Sequence, residues 1–188
     1  ISAITGTFAD EHVDTNIAVS FSDITYAGAD KDNYTITDQA GTTADITQKD
    51  LTVSGITVSD KTYDSTTSAT VSVTGISYSG LVDGDNFSVT ATGVFDNEHV
   101  GTQTVTLTET PLGTDVENYN ITYQASSSAD ITARAITISG ITASDKVYDS
   151  TTTATLDVDS IAGFIAGDDV SISAITGTFA DEHVDTNI

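Results

Sequence analysis

The chain is 188 residues long, with 28 acidic against 5 basic residues, a formal net charge of −23 at pH 7, no Cys, Met or Trp, and one Pro. The missing cysteine excludes disulfides and thiol chemistry, and acids dispersed along the whole length exclude nucleic acid as a partner, because phosphate recognition needs clustered Lys and Arg. No stretch approaches the ~20 apolar residues of a spanning helix, so no membrane insertion is expected in this segment.

In chain order, the first landmark is Ile1–Ile17, which recurs letter for letter as Ile172–Ile188, 171 positions later. Identity of this kind marks a tandem array whose units pack on their neighbours. A shorter period lies inside it. Ser59-Asp60-Lys61-Thr62-Tyr63-Asp64-Ser65-Thr66-Thr67 returns as Ser144-Asp145-Lys146-Val147-Tyr148-Asp149-Ser150-Thr151-Thr152, 85 positions on. Asn33-Tyr34 returns as Asn118-Tyr119, and Ala44-Asp45-Ile46-Thr47 as Ala129-Asp130-Ile131-Thr132, at the same distance. Phe8 and Glu11-His12-Val13 match Phe95 and Glu98-His99-Val100 at 87, which places length changes in the intervening loops. The chain therefore reads as one complete repeat of about 85 residues, 49–132, between the C-terminal half of a repeat, 1–48, and the N-terminal half of another, 133–188. Neither flank holds a whole core, so each needs a complement from a neighbouring copy, through chain continuity or strand exchange.

Within the complete repeat the apolar residues alternate with Ser and Thr: Leu51–Ser54, Ala69–Val73, Phe87–Thr90, Thr104–Thr108 and Tyr119–Tyr123. Period two in β-branched and aromatic residues predicts half-buried strands, and Gly and Asp mark the turns between them. No window sustains a helical stripe. The expected fold class is all-β: tandem small antiparallel β-sandwiches, Ig-like or grasp-like, forming an elongated rod. The linkers, Gln48-Lys49-Asp50 and Ala133-Arg134, are short enough to restrict hinge motion.

Candidate sites follow from what recurs. The acidic loops Asp83, Asp85 and Asn86 lie at the place of Asp168 and Asp169, and Asp30 and Asp32 at the place of Asp115 and Glu117. Hard oxygens at alternate loop positions suit Ca²⁺, the one cofactor the chain suggests, although acid-rich turns are expected in any acidic protein. His12, His99 and His183 share one E-H-V position, which favours a structural or interface role over a catalytic triad. No enzyme is expected. Tyr63 and Tyr148 are read as packed rings with a hydroxyl bonded at a corner, each beside an Asp that caps a turn. Lys61 and Lys146 are read as salt-bridged to a neighbouring Asp, with an amide crosslink to Asn118 near Glu98 as the alternative.

The S-D-K-x-Y-D-S-T-T segment, with the later T-G-x-F, the N-Y pair and the closing A-D-I-T, resembles the YDG-type repeats of large bacterial surface and secreted adhesins, close to the MBG-type repeats. That family has Gly where this chain has Ser65 and Ser150, so a left-handed turn at that place would have to be taken by Ser. The resemblance implies an extracellular, bacterial-surface, non-catalytic stalk or matrix-fibre repeat. Its partners would be neighbouring copies, head to tail. The alternative is a weak multivalent module for a host or matrix glycan or protein.

Overall fold

Alternation in the sequence becomes alternation in burial. In the computed structural model, which describes residues 5–22 and 24–184, Leu51, Val53, Val89, Val105, Leu107 and Ile131 are buried, while the Thr, Ser and Asp between them stay exposed. The strands are β1 Gly6–Phe8, β2 Asp14–Phe21 and β3 Gly41–Ile46 in the first flank. The complete repeat contributes β4 Lys49–Ser54, β5 Thr57–Val58, β6 Lys61–Thr62, β7 Ser68–Ala69, β8 Val71–Ser72, β9 Ser77–Ser79, β10 Ser88–Phe95, β11 Gly101–Leu112, β12 Tyr119–Thr122 and β13 Ser126–Thr132. The second flank adds β14 Thr137–Ala143, β15 Thr153–Ala154, β16 Leu156–Ala162 and β17 Gly177–Thr178. The fold is nearly all β in several small sheets. Two 3-10 turns, Lys31–Asn33 and Val116–Asn118, complete the regular structure among the described residues, and no helix there is long and apolar enough to cross a membrane.

The expectation of purely antiparallel sheets is corrected. The complete repeat holds a five-stranded sheet in the order β6-β13-β11-β10-β7 and a three-stranded sheet β12-β4-β9. In these, β12 pairs β4 in parallel, Tyr119 with Lys49 through Thr122 with Thr52, and β13 pairs β6 in parallel, Ile131 with Lys61. Parallel neighbours need a long crossover. The rest of the repeat supplies it, and side-chain alternation encodes burial without encoding the partner or its direction. Both ladders keep a separation of 70 residues, and side chains extend them: Asn120 Nδ2 donates to Asp50 Oδ1 at 2.9 Å, and Asp130 N to Asp60 Oδ1 at 2.7 Å. Between them Gln124 replaces a missing pair, its Nε2 donating to Ile56 O (2.9 Å) and its Oε1 accepting from Ile56 N (3.0 Å).

The chain divides into two compact units. The first comprises Ile1–Thr57, Thr70–Gly93 and Thr106–Ser127; Leu51, Val53 and Val89 lie in its core with Phe87, whose ring meets Tyr78 edge-on at 5.2 Å and Tyr119 at 6.0 Å. The second comprises Val58–Ala69, Val94–Val105 and Ser128–Ile188, with Phe95, Val105, Ala129 and Ile131 buried in it.

The duplicated segment is paired differently in its two copies, whose outermost residues, 1–4 and 185–188, lie outside the described residues. In the complete repeat β10 runs between β11 and β7. Among the described residues, the matching strand of the first flank, β1, pairs β2, the β11-like neighbour, and that of the second flank, β17, pairs β15, the β7-like neighbour; residues 185–188, at the place of the start of β2, lie outside the described residues. Among the described residues each copy shows one of the two neighbours that the central strand has.

Candidate functional site

Lys61 leaves β6 three residues before Asp64, close enough for the ammonium to reach the carboxylate at 2.6 Å. The same nitrogen donates to Thr66 O (2.9 Å), Thr66 Oγ1 (3.0 Å) and Ser68 O (3.2 Å), and sits 5.6 Å from the centre of the Phe95 ring. Asp64 Oδ1 in turn accepts from Thr66 N (3.0 Å) and Thr66 Oγ1 (2.8 Å), the turn-capping role expected of it. The loop recurs in the second flank: Lys146 reaches Asp149 (2.8 Å), Thr151 O (2.7 Å) and Thr153 O (3.1 Å) over Phe179 at 5.8 Å. The Lys61 hydrogen bond, and after it that of Thr66, brings the Asp64 carboxyl down to about 2; Lys146 lowers Asp149 in the same way. Ser65 and Ser150 have φ of 56° and 57°. Serine therefore takes the left-handed conformation that glycine would adopt freely.

The salt bridge expected of Lys61 and Lys146 is present. Asn118, the alternative partner, uses its side-chain oxygen to accept from Val13 N at 3.0 Å.

Tyr63 carries its hydroxyl out of this loop to Asp168, donating to Oδ1 at 3.1 Å, with Ser65 Oγ donating to the same oxygen at 3.4 Å. Asp168 stands at a tight turn, its N–H on Ile165 O at 3.2 Å after Gly167 at φ 106°. The matching turn of the complete repeat has Asp85 N on Val82 O at 3.3 Å after Gly84 at φ 98°. There Asp85 Oδ2 accepts the Tyr119 hydroxyl at 2.5 Å, and that hydroxyl accepts from Val82 N at 3.0 Å. Burial, then the hydrogen bond to Asp85, raises the Tyr119 pKa.

The E-H-V loop is the same turn three times. His12 N, His99 N and His183 N donate to Asp10, Asn97 and Asp181 at 2.8, 2.9 and 2.8 Å. His12 also lies 2.6 Å from Asp10 and 3.6 Å from Asp115, and the Asp10 hydrogen bond raises its pKa. Asp10, Glu11 and His12 bring ligand-type atoms within 4.8 Å of one another on an exposed surface.

Among the expected Ca²⁺ ligands, Asp83 and Asp169 are exposed at their turns, while Asp85 and Asp168 hold the tyrosine hydroxyls. Asn86 N donates to Asp115 Oδ2 at 2.7 Å. Asp30 opens the first 3-10 turn, accepting Asn33 N at 3.1 Å on its carbonyl, and Asp32 pairs with Lys31 at 2.7 Å. Sequence reasoning missed the ring beneath each lysine and the Asp168 end of the Tyr63 bond. The recurring T-G-x-F in step with the lysine was a signal for the first. For the second, 105 residues apart in the chain, there was none.

No curated protein and no solved structure matches the chain. The profile of the YDG domain matches residues 1–44, 47–128 and 132–188. With the loop standing in two copies on the same lysine and aspartate hydrogen bonds and the match running almost end to end, the chain belongs to the YDG domain family.

Proposed function

We propose that this chain is a stretch of a structural stalk or fibre, in which YDG repeats, each a small β-sandwich, follow one another in a stiff rod on or outside a bacterial cell. It acts through length and repetition, without catalysis, and its partners are neighbouring copies of the same repeat. The observation that carries this reading is the pair of parallel ladders at one separation of 70 residues. Strands 70 positions apart that lie side by side and run the same way suit a repeat that receives the chain at one end and delivers it at the other. The pairing of the duplicated strands supports the same reading: among the described residues β1 shows the β11-like neighbour and β17 the β7-like one, the two that β10 has together. The acidic surface supports it as well, because like charge keeps parallel rods apart.

Small-angle scattering is the test. Two repeats laid end to end give a longest dimension of roughly 90 Å, and a compact, folded-back distance distribution would remove the stalk reading. A glycan array probed with the chain addresses the binding-module alternative: a shaft stays silent, whereas a module binds weakly and gains with copy number.

A further inference from the structure

We propose that each joint between successive repeats is a clasp, in which one aspartate at a Gly-Asp turn accepts the hydroxyls of two tyrosines, one from its own repeat and one from the Tyr-Asp-Ser loop of the repeat before. This rests on the end-to-end reading above. The structure contains the two halves of the clasp at two equivalent aspartates. Asp85 holds the tyrosine of its own repeat, Tyr119, through Oδ2. Asp168 holds Tyr63, which belongs to the preceding repeat, through Oδ1. The turns that present the two carboxylates match, as do the glycines before them, so one carboxylate has an oxygen for each tyrosine. Hydrogen bonds to a charged oxygen are stronger than neutral ones, and an acid shared by two hydroxyls ties the repeats without needing a base, of which the chain has few.

The same geometry says what a second copy would do. Tyr148 sits in a loop already folded like that of Tyr63, with Asp149 Oδ1 holding Thr151 N at 3.0 Å and Ser150 at φ 57°, and its ring is 57 % exposed. In a following copy it donates to Asp85. Tyr34 of that copy, on a 3-10 turn matching the one before Tyr119, donates to Asp168. The occupied joint also has an apolar floor, lined by Tyr63, Val100, Ile136, Phe164, Ile165 and Val170, beside which the Tyr63 bond is half-buried.

Hydrogen exchange on the intact chain, in wild type and in the Tyr63→Phe, Asp168→Ala, double and Tyr148→Phe variants, tests the clasp. Tyr63→Phe keeps the ring and removes the hydroxyl, so amides of the Phe164–Val170 turn should exchange roughly five- to tenfold faster. Asp168→Ala should match that effect at the other amides of the same turn, and the double variant should add little to either single one. Tyr148→Phe, in the same loop but with its hydroxyl on Ser150 rather than on an aspartate, should leave the Phe164–Val170 amides unchanged. Additive effects of the first two, or equal effects of Tyr148→Phe and Tyr63→Phe within their own loops, would reduce the hydroxyl to a loop-folding role and overturn the clasp. A folded-back scattering profile with the coupling intact would instead count against the stalk and leave the Tyr63–Asp168 bond standing.

Discussion

Positions that correspond between the complete repeat and its flanks adopt the same backbone and find different surroundings. The turn before Tyr34 and the turn before Tyr119 begin at φ −101° in both cases and end at φ −121° and −123°, yet Tyr34 is 72 % exposed and Tyr119 4 %. Leu51 is fully buried, and its counterpart Ile136 is 43 % exposed. Local conformation in this protein is therefore set by residues near in sequence, through Asx turns, glycines and the lysine-centred loop, whereas burial is set by the other half of the repeat, some seventy positions away. The flanks are halves already in shape.

The largest expected contrast is at glycine. Gly28 and Gly113 match in sequence and have φ of 131° and 133°; a Cβ on Gly113 would lie 1.9 Å from Asn86 O, whereas one on Gly28 would meet nothing within 4 Å. Gly28→Ala should cost only the backbone strain, about 1–3 kcal/mol, and Gly113→Ala more than about 4 kcal/mol or the fold of the repeat. Urea unfolding followed by circular dichroism measures both. Equal costs would mean that the two halves are in the same surroundings and would break the comparison.

Next comes the core. Leu51→Ala should cost about 2–5 kcal/mol through the cavity it leaves, and Ile136→Ala less than about 1.5 kcal/mol, its side chain being half in water already. The same pair should become equal once the second flank is completed by a further copy.

Much of this was legible in the sequence and some was not. The strands at Leu51–Ser54 and Tyr119–Thr122 announce themselves because a half-buried strand must alternate. The Asp64 cap and the Lys61–Asp64 bridge lie within a few residues of each other, so spacing alone reveals them. The parallel partner of Leu51, Ile121, was hidden, since alternation is the same whichever way a neighbour runs. The two-residue strands at Lys61–Thr62 and Ser68–Ala69 are too short to show a period. Of the candidate site residues, Asp85 and Asp168 were singled out as acids at matching turns, but their tyrosine partners are 34 and 105 residues away, beyond the reach of local pattern.

Smaller effects concern charge. Asp64 has its folded pKa lowered to about 2 from the ordinary 3.8, so its pairing stabilises the fold fully above about pH 4, and that contribution disappears as the pH falls from about 4 toward 2. Acid titration of the melting temperature in wild type and Lys61→Gln should show a shallower fall through that window in the variant. A parallel fall would leave Asp64 out of the stability balance, which its exposed position and solvent screening make modest in any case. Smallest of all, millimolar Ca²⁺ and Mg²⁺ at equal ionic strength should raise the melting temperature alike, by screening the net charge. An excess for Ca²⁺ would assign the exposed oxygens of Asp83 and Asp169 to a calcium site.

The central claim, that halves complete one another along a single axis, is tested most directly by electron microscopy of concatenated copies joined at the 171-residue period. Each added period holds two repeats and should lengthen the particle by about 90 Å at constant width. Particles that thicken or close up as copies are added, with length lagging behind copy number, would contradict the account.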